Sequence, residues 1–227
     1  MSTETIEKKE TVAAAPAEEL FSKRRKRLVT DPLSEDNPIT VQVLGICSAL
    51  AVTVQMKPTL IMSIAVVFVV VFSNLIISVM RNIIPSRVRI IVQLAVVATL
   101  VTLVSEVLKA YSYDMYKVLG AFVGLIITNC IVMGRLEAFA MGNKPYDSIL
   151  DGLGSGFGYA WIILTVAFFR ELFGSGSVFG YKLYDSFADM TGFTLQTNGL
   201  MVDSIGAFMI LGIIIWVQRS KTGYVEH

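Results

Sequence analysis

Long apolar runs return from Ile39 almost to the end of this 227-residue chain, and only brief polar connections separate them. Hydrophobic residues make up 54% of the chain and charged residues 16%, a balance too apolar for an ordinary soluble domain. A helix needs about twenty mostly apolar residues to cross the hydrocarbon core of a bilayer. The sequence therefore predicts an all-α integral membrane protein in contact with lipid, and its net charge of +1 gives no indication of a nucleic-acid partner.

The apolar runs divide into six predicted transmembrane helices. Their approximate bounds are 39–56, 59–80, 90–108, 118–133, 149–169 and 200–217. Spans 1 and 4 are short for a full crossing, and span 1 also contains several polar residues. We predict one six-helix membrane domain over 38–218. A disordered or surface-lying cytoplasmic tail (1–37) precedes it, and a cytoplasmic C-terminus (219–227) follows.

Two halves of three spans each, about 38–110 and 116–218, repeat the same order of features. Each half opens with a short span that carries a cysteine, Cys47 or Cys130, and continues with a span that ends in an arginine, Arg81 or Arg170. Three spans per half insert the two halves in opposite orientations. The sequence therefore predicts two inverted three-helix repeats in which spans 1 and 4 are short or broken.

Lysine and arginine residues are concentrated on one side of this topology. Most of them lie in the N-terminal tail, in the connections between spans 2 and 3 and between spans 4 and 5, and in the C-terminal segment. By the positive-inside rule, both termini are predicted to be cytoplasmic.

Cys47 and Cys130 are the only cysteines, and they lie at a similar predicted depth in spans 1 and 4. Thiolates suit iron–sulfur clusters, zinc and copper(I), so the pair could form half of a metal site. Free cysteine is more often simply a small apolar residue. A cluster takes four protein ligands, so a second chain or a second copy would have to supply two. The residues alone leave both interpretations open.

Several other polar positions lie within the predicted spans. The amide side chains there are interpreted as interhelical hydrogen-bonding groups rather than an ion path. These amides are Gln42, Asn74, Gln93 and Asn129.

The glycine run from Gly152 to Gly158 has a spacing of four, which favours close helix packing over phosphate binding. The run lacks the Ser-Gly-Ala-Thr pattern of covalent flavin attachment, so no covalent flavin is predicted. Charged pairs at the span ends are interpreted as interface anchors and local ion pairs. They are Arg170 with Glu171, and Arg135 with Glu137.

Several longer motifs together resemble one family of membrane proteins. They are NP at 37–38, LGICSALAVT at 44–53, SRVRIIVQ at 86–93, FVGLIITNCIVMGR at 122–135, EAFAM at 137–141 and FFRELFGSG at 168–176. Over about 37–218 the chain resembles the D-subunit family of the bacterial Na+-translocating NADH:quinone oxidoreductase, within the Nqr/Rnf membrane subunits.

The resemblance implies membership of a six-subunit complex of the bacterial inner membrane that oxidises NADH, reduces ubiquinone or menaquinone and exports sodium. In that family, the D subunit and the homologous E subunit insert in opposite orientations and share an intramembrane [2Fe-2S] cluster held by two cysteines from each. The matching positions here are Cys47 and Cys130. The cluster passes electrons from the FAD-bearing F subunit towards the flavin of the C subunit, and the A and B subunits complete the complex. This chain itself would bind neither NADH nor quinone.

Two alternatives stay open at this point. The E subunit of the related Rnf electron-transport complex shares the cysteine positions, but a proline after the first cysteine is common there, whereas this chain has Ser48-Ala49-Leu50. A non-redox transporter built on an inverted repeat would carry more intramembrane carboxylates, and only Glu106 comes close.

Overall fold

The computed structural model describes residues 28–32, 37–85, 87–175, 177–178, 181–182 and 203–222, and these residues are mainly helical. The helices are α1 (Ile46–Val52), α2 (Met56–Met80), α3 (Arg89–Tyr111), α4 (Tyr113–Ile127), α5 (Cys130–Arg135), the π-helical turn π1 (Leu136–Ala140), α6 (Pro145–Ser175) and α7 (Ser204–Thr222). A short helical segment covers 28–32. An antiparallel pair, β1 (Ser177–Val178) with β2 (Tyr181–Lys182), follows α6.

Four helical stretches in the described part of the chain are long and apolar enough to cross a membrane. They are Met56–Met80, Arg89–Tyr111, Phe122–Ala140 and Pro145–Gly174. A shorter apolar stretch, Ser204–Ser220, lies in α7. The predicted helical class is confirmed, and predicted spans 2, 3 and 5 correspond to α2, α3 and α6. The first residues of predicted span 6, 200–202, lie outside the described residues.

Predicted span 1 is short and interrupted, as expected for spans 1 and 4, and one continuous helix over 39–56 is wrong. Within these bounds the α-helical residues are the seven of α1 and Met56, the first residue of α2. The backbone at Val43 has φ 58° and at Gly45 has φ 81°, so both residues lie in the left-handed region. Glycine adopts this region freely, but a β-branched residue rarely does. The chain therefore changes direction immediately before the turn that carries Cys47.

Predicted span 4 is broken in its middle. Helix α4 ends at Ile127, and α5 begins at Cys130. Asn129, between them, has an extended backbone, and its side-chain oxygen accepts a hydrogen bond from the Ile131 amide at 3.3 Å. Asparagine is a favoured residue at this position, because its side chain satisfies an amide that the helix leaves free. The second cysteine, like the first, follows directly after an interruption.

Helices α2 and α6 form the centre of the molecule. Val66, Val69 and Val70 on α2 are fully buried, as is Ile163 on α6. The outer faces remain apolar, and Trp161 of α6 is 65% exposed. Such faces suit contact with hydrocarbon, which imposes no cost on exposed apolar side chains.

The glycine run brings α6 close to two neighbours, as the spacing of four predicts. A Cβ at Gly156 would lie 3.2 Å from the Cα of Val67 on α2. A Cβ at Gly154 would lie only 2.6 Å from the carbonyl oxygen of Leu28, in the segment 28–32. The end of the predicted tail therefore packs on the membrane domain. Residues 1–27 and 33–36 lie outside the described residues, and the domain boundaries stay a prediction.

The contact between α6 and the segment 28–32 can be tested with Gly154→Ala. The added methyl group meets backbone, which cannot rotate away, so we expect the free energy of unfolding to fall by about 1–3 kcal/mol. Gly124→Ala is the matched control, since nothing lies within 4 Å of its Cβ position. This control should be neutral or stabilising by about 0.5–1 kcal/mol. Thermal unfolding of the detergent-solubilised chain measures both, and equal stabilities would contradict the packing.

Candidate functional site

Both cysteines lie in the first turn of a short helix that follows a break. Cys47 is the second residue of α1, and Cys130 is the first residue of α5. Both side chains are exposed on the surface of this chain. The two predicted ligands thus occupy similar local structures, and both are accessible to a neighbouring protein chain.

A buried hydrogen-bond network joins the two breaks beside the cysteines. Asn129 donates from Nδ2 to Ser48 Oγ at 3.2 Å. Ser48 Oγ also lies 2.9 Å from the carbonyl oxygen of Gly45 and 2.7 Å from the hydroxyl of Tyr159 on α6. Ser48 directly follows one cysteine and Asn129 directly precedes the other. Their bond therefore sets the two cysteine-bearing turns side by side.

Cys47 and Cys130 can contribute two thiolates to a metal site but cannot complete one. Across the described ranges, no group of three or more His, Cys, Asp or Glu side chains is arranged to hold a metal ion. A ligand that is shared across an interface between chains must stand at the surface of its own chain. The exposure of both thiols fits this requirement of a shared site.

Arg170 and Glu171 lie buried beside the break between α1 and α2. Arg170 donates from Nη1 to the Leu50 carbonyl at 3.1 Å and to Thr53 Oγ1 at 2.7 Å. The Glu171 carboxylate accepts from the Met56 amide, at the start of α2, at 2.6 Å. A cation at the end of one helix and an anion at the start of the next match the free backbone groups there. Their interpretation as interface anchors is wrong, since they are 1% and 5% exposed.

A comparable contact braces the connection that precedes α6. Arg81 directly follows α2 and donates from Nη1 to the carbonyl oxygen of Asn143 at 2.6 Å. Ser78 donates to the same oxygen at 2.7 Å. Asn143 lies between π1 and α6. Thus Arg81, at the end of α2, bonds the chain just before α6, and Arg170, near the end of α6, bonds the chain just before α2.

The charged groups at the end of α5 pair differently from the prediction. Arg135 is buried and lies 3.3 Å from the carboxylate of Asp151 on α6, whereas Glu137 pairs with Arg89. Asp151 is 2% exposed, while Glu106, the carboxylate that the sequence indicates, is exposed on α3. Asp151 is easily overlooked because it stands only two residues inside predicted span 5, where surface charges are common. Helix α6 in fact begins earlier, at Pro145.

The intramembrane amides connect helices, as predicted for three of the four. Asn74 donates to the Ser148 carbonyl at 3.2 Å, which links α2 to α6. Gln93 donates to Glu137 at 3.1 Å, which links α3 to π1. Asn129 joins the two breaks as described above. Each bond gives an amide nitrogen a partner that hydrocarbon could not supply.

Tyr159 is the member of the network that sequence reasoning missed. It lies within an apolar run, where an aromatic residue is ordinarily a packing or lipid-facing group. The available signal is that a tyrosine hydroxyl far from the ends of a membrane helix requires a hydrogen-bond partner. The sequence indicates that requirement but does not identify the partner.

These features define a helical membrane protein with two interrupted helical segments. Each segment carries a cysteine, and the two interruptions lie next to each other. The family described as "Rnf-Nqr subunit, membrane protein" matches residues 26–215. The chain belongs to this Rnf-Nqr family of membrane proteins, which confirms the resemblance seen in its motifs.

Individual relatives of the chain carry the same name. The chain is 52% identical over 206 residues to the D subunit of the Na(+)-translocating NADH-quinone reductase of Pasteurella multocida, covering 90% of this chain and 98% of the relative. Proteins of the same name from Shewanella halifaxensis and Photobacterium profundum are each 52% identical to this chain. The match to the Shewanella protein covers 88% of this chain and 94% of the relative. The match to the Photobacterium protein covers 87% of this chain and 93% of the relative.

The role of Arg170 can be tested with Arg170→Met. Loss of the guanidinium leaves buried backbone and hydroxyl oxygens without their donor, so we expect a destabilisation of about 3 kcal/mol. Arg89→Met is the matched control, because its ion pair with Glu137 is about 40% exposed. That change should cost about 1 kcal/mol or less. Thermal unfolding in detergent compares the two variants, and equal losses would contradict a special role for Arg170.

Proposed function

We propose that this chain is the D subunit of a Na+-translocating NADH:quinone reductase and that it takes part in electron transfer through a shared intramembrane [2Fe-2S] cluster. The observation that carries the proposal is the pairing of the two breaks through Ser48 and Asn129, with both adjacent thiols exposed. The names of the relatives, and the match over nearly their full lengths, support the identity of the complex. These names also favour it over the Rnf alternative.

The residues of this chain would hold and orient the cluster and would not react with substrate themselves. Cys47 and Cys130 would each donate one thiolate, and two cysteines of the homologous E subunit would complete the set of four. When bound, the cluster would supply a one-electron carrier. The exposed faces of α1 and α5 would meet the E subunit, while the A, B, C and F subunits would complete the complex. In this scheme, electrons pass from the F subunit to the C subunit.

An inverted repeat of two three-span halves is part of the proposal, and the arginine contacts support it. Arg81 lies 25 residues after Met56, the first residue of α2, and Arg170 lies 25 residues after Pro145, the first residue of α6. Each of these arginines bonds the backbone that precedes the other long helix. Equivalent residues with reciprocal contacts are expected from a two-fold relation.

The crossing point of α2 and α6 gives independent support for the repeat. Val67 lies eleven residues after the start of α2, and Gly156 lies eleven residues after the start of α6. These two residues touch each other. A contact between equivalent positions occurs where a pseudo-two-fold axis passes between two helices. The axis proposed here therefore lies at the closest approach of α2 and α6.

We place the chain in the bacterial inner membrane with both termini cytoplasmic. The bond between Arg81 and Asn143 joins the connection after α2 to the connection before α6. The basic residues of both connections assign them to the same side. Their contact supports this assignment, because only connections on one side of a membrane can meet.

The cluster assignment can be tested in the complete complex with Cys47→Ala and Cys130→Ala. Each variant should lose the iron and acid-labile sulfide of one cluster and its EPR signal, and with them NADH-driven quinone reduction. NADH oxidation by an artificial acceptor at the peripheral F subunit should survive. Thr102→Ala, an exposed position on α3, is the control and should change none of these. Unchanged iron and quinone reduction in either cysteine variant would overturn the assignment.

The shared character of the site can be tested with the chain purified alone. Because two of the four ligands are missing, it should retain far less than two iron atoms per chain. Iron and sulfide analysis of the single chain, beside the intact complex, measures the difference. A full cluster in the single chain would refute sharing while leaving the cysteine assignment in place.

A further inference from the structure

The buried hydroxyl of Tyr159 has no part in the function proposed so far. Tyr159 is fully buried, and it stands on α6 rather than on either cysteine-bearing segment. Its ring also limits the first break, because a Cβ at Gly45 would lie 3.1 Å from the ring carbon Cε2. Together with the left-handed backbone at Gly45, this contact restricts that position to glycine.

The contacts of Ser48 determine the direction of each hydrogen bond in the network. The Gly45 carbonyl can only accept, so the single hydroxyl proton of Ser48 points to it. Asn129 donates from Nδ2, an orientation fixed by its side-chain oxygen, which accepts from the Ile131 amide. The remaining lone pair of Ser48 is free for Tyr159. The Tyr159 hydroxyl is therefore the donor, and all the hydrogen-bonding positions of Ser48 are filled.

The network holds the backbone on both sides of each cysteine. Cys47 lies within the turn that the Ser48–Gly45 bond closes. Cys130 lies within the turn that the bond between Asn129 and the Ile131 amide closes. The Tyr159 hydroxyl, through its bond with Ser48, joins both turns to the long helix α6.

We propose that Tyr159 is a positioning residue that fixes the relative placement of Cys47 and Cys130 through Ser48 and Asn129, and thereby sets the reduction potential of the shared cluster. This inference rests on the proposed function. Hydrogen bonds around the sulfur ligands and the orientation of the ligands both tune the potential of such a centre. Because Tyr159 would bind no iron itself, we expect its loss to change the potential while the cluster is retained.

The test is Tyr159→Phe in the complete complex, which removes the hydroxyl and keeps the ring. We expect full iron and sulfide content, a shifted midpoint potential and altered EPR lines of the cluster. Quinone reduction should fall about tenfold, with unchanged NADH oxidation by an artificial acceptor. Tyr146→Phe, the same substitution at a half-exposed position of α6, is the matched control and should leave all of these readouts unchanged.

A second variant tests whether Tyr159 acts through Ser48. Ser48→Ala removes the acceptor of the Tyr159 bond together with the bonds to Gly45 and Asn129, so it should shift the potential in the same direction and at least as far. The double variant should then add little to the shift of Ser48→Ala alone. An unshifted potential in Tyr159→Phe, or loss of iron from it, would overturn the positioning role. Retention of the cluster in Cys47→Ala would instead contradict the proposed function, and the positioning role would fail with it.

Discussion

An interrupted helix inside a membrane leaves backbone N–H and C=O groups that hydrocarbon cannot hydrogen-bond, so the protein must supply their partners. In this fold the partners are side chains from distant parts of the sequence. Arg170 donates to the end of α1, and Glu171 accepts from the start of α2. Arg81 makes a comparable contact in the connection before α6. The burial of charge at Arg170 and Glu171 follows from this demand. Both residues thereby satisfy backbone groups on the two sides of the break between α1 and α2.

The closely packed helices α2 and α6 lie beside the two interruptions. Residues at a helix break lack the regular backbone hydrogen bonds of the helix. Their conformation must therefore be fixed by hydrogen bonds from other segments. Helices α2 and α6 pack closely at Val67 and Gly156, and residues of α6 make such hydrogen bonds. The hydrogen bonds among Ser48, Asn129 and Tyr159 connect α6 to the two cysteine-bearing turns. The proposed cluster would depend on this support, because small displacements of its ligands alter the chemistry of a metal centre.

Composition and local pattern are enough to predict part of this fold. The apolar runs locate α2, α3 and α6, and the glycine spacing identifies the face of α6 that packs closely. The extent of span 1 was not predictable, because a valine carries no signal for the left-handed backbone found at Val43. The partners of Arg170 and Tyr159 were equally hidden, since contacts across more than a hundred residues leave no trace in spacing. The cysteines can be located from sequence, but the network that holds them cannot.

The long separation between contacting residues has a consequence for biosynthesis. Asn37 bonds the Gly158 carbonyl, and Arg170 bonds the Leu50 carbonyl, across 121 and 120 residues respectively. At a synthesis rate of about 5–20 residues per second, the early segments wait on the order of ten seconds for these partners. During that interval the open carbonyls of α1 must be satisfied by water or by the insertion machinery. The first span can therefore take its final place only after most of the protein has been made.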